Sequence, residues 1–181
     1  MESLLAATKE VFSGESVLSG LSIKEAGSRF SIEKRPTEKA FAIDLRKIAH
    51  WPSGTPRADA VFVCFPEGAS HFLLVLVELK SSRKEHAIAQ LSASCKTLCS
   101  GSQHADQFHN SLAAEDTVSQ LAGAHHEGRV LGIIVTKGSL PKKLRQKALA
   151  RVSCQGLQIS SITKPVKIAT IQELAKLLSH I

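Results

Sequence analysis

The sequence predicts an α/β domain in which a mixed β-sheet is covered by helices. Two observations carry that expectation. Residues 59–65 (DAVFVCF), 71–80 (HFLLVLVELK) and 129–136 (RVLGIIVT) are nearly continuous in apolar residues. Runs of that length read as strands buried on both faces. Between and after them lie segments with helical spacing, and helices are the natural cover for a sheet that must be dry on both sides.

Taken in order, Leu4, Leu5, Thr8, Val11 and Phe12 fall on one helical face, predicting an opening helix over 3–12. Gly14, Gly20 and Gly27 then punctuate a weakly patterned stretch. Phe41, Ile43 and Leu45 alternate with Ala42, Asp44 and Arg46, which reads as a strand. It is ended by turn residues at 51–56 (WPSGTP). The two apolar runs that follow are separated only by 66–70 (PEGAS), short enough for an antiparallel hairpin. Ala87, Ile88, Leu91, Cys95 and Leu98 form one stripe of a helix over 83–99. Residues 100–128 are polar and carry no firm assignment. After the 129–136 strand, Pro141 is suited to the first turn of a helix reaching Arg151. Short strands at 157–162 and 166–169 and a helix over 170–179 complete the order.

The 181 residues suit one domain, 1–181, with its core at about 38–151. The chain is 43% apolar, and its mean hydropathy of +0.02 fits a globular domain that needs no disulfide or metal staple. Four cysteines in no paired framework fit reduced thiols. No signal peptide is evident, and the longest apolar run, 72–77, is too short to cross a bilayer. The expected location is therefore the cytoplasm. A net charge of +7 favours a polyanionic partner, because lysines and arginines that neutralise phosphates release condensed counterions.

The chemistry concentrates in Asp59, Glu78 and Lys80. Side chains alternate along a strand, so Glu78 and Lys80 share a face while Leu79 turns into the core. The hairpin brings Asp59 opposite the end of the next strand. Three charged groups at one sheet end, after apolar runs, call for a compensating ion or solvent. Two carboxylates make a hard oxygen site for magnesium, with the Leu79 backbone carbonyl as a further ligand. Lys80 is placed to orient the attacking water or to stabilise charge on a phosphate.

Arg57-Ala58-Asp59, an apolar strand and then Glu78-Leu79-Lys80 resemble the signature of the PD-(D/E)XK nuclease superfamily, which includes restriction endonucleases and Holliday-junction resolvases. The resemblance implies a restriction-endonuclease-like mixed β-sheet flanked by α-helices, with residues 40–136 matching the family core in order. It also implies a magnesium-dependent phosphodiesterase, for which manganese can substitute. Asp59 and Glu78 would be the metal ligands and Lys80 the catalytic cation. Two positions depart from the pattern. Pro56 stands three residues before Asp59, and the helix position four after Gln90 is Ser94 where some members carry tyrosine.

Secondary candidates surround this triad. Asp44, Glu15 or Glu10 would add a ligand if not simply exposed acids, and Gln90 matches a helix position that some members use. Lys137, Lys142, Lys143, Arg145 and Lys147 collect around a strand exit and helix start, where backbone N–H groups favour phosphate. Cys95, Cys99, His104 and His109 have a spacing that invites zinc, but Cys95 sits on the apolar stripe, which favours a buried thiol. No Gly-rich phosphate loop and no Gly-x-Ser-x-Gly elbow occurs, which argues against nucleotide hydrolases and serine hydrolases.

The expected function is thus a metal-dependent endonuclease cutting DNA with a metal-activated water. Two alternatives stand beside it: a restriction-like module that binds nucleic acid or protein without cutting, and a ribonuclease or nickase subunit of a mobile-element or phage-defence system. Such a short chain leaves target recognition to loops, to a homodimer or to a partner protein.

Overall fold

The computed structural model describes residues 16–25, 27–49, 51–69, 71–80, 86–100, 129–136, 157–162 and 166–179. Within them the chain forms a mixed α/β fold with two sheets. The larger is five-stranded, in the order β3-β4-β5-β6-β7: β3 (Lys39–Asp44), β4 (Ala60–Phe65), β5 (Leu73–Lys80), β6 (Val130–Thr136) and β7 (Leu157–Ile162). The smaller has the order β1-β2-β8: β1 (Ser22–Glu25), β2 (Ser28–Glu33) and β8 (Val166–Thr170). Helices α1 (Ala87–Cys99) and α2 (Ile171–Ser179) complete the described elements.

The apolar run over 60–80 folds as expected, into an antiparallel hairpin with Ala60 opposite Val77 and Cys64 opposite Leu73. Its connection holds a turn from Pro66 to Ala69 (N–H to carbonyl 3.3 Å), with Gly68 at φ 73°. That positive φ falls at the third turn position, which an L side chain rarely adopts. β5 then pairs with β6 in parallel, and β6 with β7. A parallel pair cannot be joined by a tight turn, so the chain between β5 and β6 has room for α1.

Alternation sorts the core into two layers. Val61, Val63, Phe65, Leu74, Leu76 and Ile134 face Ala87, Leu91, Cys95 and Leu98 of α1. On the opposite face Phe62, Val75, Val77, Leu79 and Ile133 meet Ile23, Phe30 and Ile32 of the small sheet and Leu174 of α2. Phe30 and Phe62 join the sheets edge to face, with centroids 5.4 Å apart. Both faces of β4 and β5 are therefore covered, which is why their sequences are apolar throughout.

Two expectations need correction. The weakly patterned stretch after Gly20 holds the β1–β2 hairpin, turning at Gly27 (φ 77°). The 166–170 strand does not extend the large sheet but pairs in parallel with β2. Helix α2 follows it directly through a capping box: the Glu173 N–H donates to Thr170 Oγ1 (3.2 Å), and the Thr170 N–H donates to the Glu173 carboxylate (2.9 Å). The expected helices over 3–12 and 141–151 lie outside the described residues.

Candidate active site

The three middle elements of the large sheet end together. One step beyond the Ala60–Val77 pair places Asp59 opposite Glu78, and the Asp59 N–H donates to the Val77 carbonyl at 3.1 Å. Glu78 and Lys80 lie on the α1 side of β5, and Leu79 packs into the other layer, as alternation requires. Glu78 is 0% exposed and Asp59 6%, so both carboxyl groups are withdrawn from water. Lys80 Nζ lies 2.5 Å from Glu78 Oε1, on a side chain 17% exposed. Neither Glu78 oxygen has a partner in hydrogen-bond geometry.

Asp59 is held from behind. Its Oδ2 accepts from the Leu79 N–H at 2.6 Å. Along β5, Leu74 donates toward Arg129 on the β6 side, and Val77 accepts from Asp59 on the β4 side. Alternate residues of a strand turn their backbone groups to opposite edges, so the Leu79 carbonyl shares the Asp59 edge with its N–H. The carbonyl expected as a third ligand thus lies on the side of the two carboxylates.

The electrostatics are those of acids kept from water with too few cations. Burial pushes the Asp59 carboxyl up to about 8, and the neighbouring Glu78 and Glu25 add to the rise. Burial likewise pushes Glu78 up to about 7, although the Lys80 ammonium pulls it down. Glu25, at the end of β1, is the site residue that sequence reasoning missed. Its side chain, 42% exposed, reaches both the Asp59 carboxyl and Arg46 Nη1 (3.2 Å). No strand was expected there, so nothing in the sequence brought Glu25 to this place.

Asp44 is not the exposed acid that one reading allowed. It is buried rather than exposed, and both of its oxygens are taken by Arg46: Oδ1 accepts from Nε and Oδ2 from Nη2, each at 2.8 Å. It also caps the short 3-10 turn Leu45–Lys47 through the Arg46 N–H (3.1 Å). That guanidinium holds the Asp44 carboxyl below the usual range against the upward push of burial.

Gln90 is drawn in as a brace. From α1 its Nε2 donates to the Arg57 carbonyl at 3.0 Å, and one turn on, Ser94 Oγ accepts from the Ala58 N–H at 2.6 Å. The two helix positions singled out by the family pattern therefore clamp the backbone immediately before Asp59. Cys95 and Cys99 are buried against the sheet, and among the described residues neither forms a disulfide. Glu10, Glu15, His104, His109 and the cations Lys137, Lys142, Lys143, Arg145 and Lys147 lie outside the described residues.

Asp59, Glu78 and the Leu79 carbonyl fit a divalent ion that keeps other positions for water and phosphate. Glu78 supports that fit, because its buried oxygens stand beside a second carboxyl and, apart from the Lys80 ion pair, meet no donor in hydrogen-bond geometry. Among the described residues no set of three or more Asp, Glu, His or Cys side chains is spaced as a metal-binding group. No described helix is long and apolar enough to cross a membrane. Comparison with protein-family models, with curated proteins and with solved structures finds no match to the chain.

Proposed function

We propose that the chain is a magnesium-dependent nuclease of the PD-(D/E)XK kind, cutting phosphodiester bonds of DNA at the sheet end formed by Asp59, Glu78 and Lys80. The observation that carries this reading is the convergence of two buried carboxyl groups and one lysine on adjacent strand ends, with the Leu79 backbone on the same edge. Apolar strands gain nothing from buried acids unless an ion or a reaction uses them.

When bound, magnesium or manganese would supply Lewis acidity to the phosphodiester and to the attacking water. The chain's own groups do the remaining work. The Leu79 N–H fixes the rotamer of Asp59, and the Gln90–Ser94 clamp fixes its backbone. Glu78 presents a carboxylate whose one charged partner among the described residues is Lys80. Lys80, anchored at Glu78, reaches the partly open mouth of the site, where its ammonium can orient water or meet charge developing on phosphate.

The non-cutting module keeps one observation in its favour. Glu25, Asp59 and Arg46, with Glu78 and Lys80, form a network that can hold its charges without an ion. Cleavage separates the two readings. The wild-type protein is expected to cut at least one member of a DNA and RNA panel with magnesium or manganese. Lys80→Ala and Asp59→Ala should each abolish that cutting while the fold survives. Undiminished cleavage by either variant sinks the assignment, and an inert wild type leaves the binding module. Cleavage confined to RNA, or to one strand of a duplex, selects the ribonuclease or nickase.

A further inference from the structure

The connection between β3 and β4, which leads into Asp59, forms an open groove of about 420 Å³. Its lining includes Arg46, Lys47 and Arg57, Trp51 and the Pro52–Thr55 turn, and no acidic residue. The three cations are not equivalent. Arg46 is neutralised by Asp44 and Glu25. Lys47 is exposed and, among the described residues, forms no ion pair. Arg57 is half-buried, and its Nη1 is fixed on the carbonyls of Leu45 and Ile48 at 3.4 Å each, with no carboxylate partner among the described residues. A guanidinium held by neutral carbonyls keeps its full charge and loses little entropy on meeting an anion.

The same loop immobilises an aromatic ring. Trp51 packs partly on the α1-side core, and its Nε1 donates to the Thr55 carbonyl at 3.2 Å. The turn that presents that carbonyl closes from Pro52 to Thr55 (3.1 Å), with Gly54 at φ 73°. Groove and carboxylates are one assembly: Arg57 is two residues before Asp59, on the segment clamped by Gln90 and Ser94, and the Leu45 N–H donates to the Asp59 carbonyl at 3.0 Å.

We propose that this groove holds an unpaired stretch of nucleic-acid strand beside the bond to be cut, with Lys47 and Arg57 on a phosphate and the Trp51 ring against a base. A cationic track with a fixed aromatic platform is how single strands are gripped without sequence preference, since every base has a face to stack. A base inside a blunt duplex cannot offer that face. The inference rests on the nuclease reading and deepens it by naming the substrate class.

Trp51 is the single tryptophan of a chain without tyrosine, so emission excited at the red edge reports on this groove alone. The full chain is titrated with a short oligothymidylate and with a blunt duplex of equal length, calcium replacing magnesium to suppress cutting. Oligothymidylate should quench Trp51 deeply and the duplex much less. Lys47→Glu should weaken oligothymidylate binding about tenfold at low salt and flatten the log–log salt slope by about 0.7, while Lys47→Arg restores both. Lys47 is exposed, so an unchanged emission maximum in the free variant verifies its fold. Absent quenching, equal quenching by the duplex, or unaltered affinity and slope in Lys47→Glu overturns the proposal. Magnesium-dependent cutting of the same oligonucleotides is scored separately. Quenching without cutting removes the nuclease reading and leaves the groove, whereas cutting without quenching does the reverse.

Discussion

Asp44 ends β3 and Asp59 immediately precedes the neighbouring β4, so both stand at the same end of the large sheet, and they are buried to a similar degree. One is surrounded as a structural acid: a guanidinium takes both oxygens, a backbone N–H adds a third bond, and its pKa falls. The other faces a second carboxyl with a third nearby, has one N–H on Oδ2, and is pushed up to about 8. Equal burial with opposite titration shows that burial alone does not mark a site. A buried acid lacking its own cation does, because folding has left a carboxyl that ionises only when something else supplies the positive charge.

The largest expected effect separates the two aspartates by activity. Asp59→Ala and Lys80→Ala should lower the rate of magnesium-dependent cleavage by about a thousandfold or more, the scale of losing one group that stabilises a transition state. Asp44→Asn should leave most of the activity and act on stability instead. A cleavage rate that follows Asp44 and ignores Asp59 would reverse the comparison.

Stability provides the next contrast. Arg46→Met strands the buried Asp44 charge and should cost about 2 kcal/mol in denaturant unfolding. That is less than the ~3–5 kcal/mol of a fully buried pair, because the Arg46 side chain is 36% exposed. Asp59→Asn removes a carboxyl that no guanidinium satisfies, and should stabilise the metal-free protein by about 1–2 kcal/mol at pH 8.

The pH dependence carries the same signs. In the metal-free fold Asp59 keeps its proton to about pH 8, whereas the unfolded chain releases it near pH 4. Stability therefore falls as pH rises through that window, and Asp59→Asn should flatten the fall. Asp44, with a depressed folded pKa, stabilises above about pH 4 and loses that contribution as pH falls through its folded value. Thermal unfolding of wild type and both asparagine variants from pH 3 to 9 reads each slope. A wild-type curve that rises from pH 5 to 8 would contradict the Asp59 environment.

A smaller effect tests the clamp. Ser94→Ala leaves the buried Ala58 N–H without its acceptor and should cost about 1 kcal/mol or somewhat more. By loosening the segment before Asp59 it should lower the cleavage rate at saturating substrate more than it raises KM. Loss of stability with unaltered kinetics would make Ser94 a packing residue only.

Much of this sheet end was legible because it is extreme in composition. Strands β4, β5 and β6 are buried on both faces, so their residues are apolar without alternation, and Asp59 and Glu78 stand out against them. What remained hidden depends on tertiary pairing. β1 is four residues long and ends in Lys24-Glu25, too short and polar to register as a strand until β2 and β8 support it. Glu25 and the true setting of Asp44 were lost with it. Ser94 was visible as a polar residue beside the apolar stripe of α1, but its partner, the Ala58 N–H, is 36 residues away in sequence. Only the packing of α1 on the sheet reveals that bond.

The central claim is that Asp59 and Glu78 together hold a divalent ion. A crystal of the wild-type chain soaked in manganese and measured at the manganese edge tests it directly, with a Glu78→Gln crystal beside it. The account predicts one anomalous peak coordinated by the Asp59 carboxylate, the Glu78 carboxylate and the Leu79 carbonyl, lost or much weakened in the variant. A peak elsewhere, a peak at this position unaffected by Glu78→Gln, or no peak at saturating manganese would contradict it.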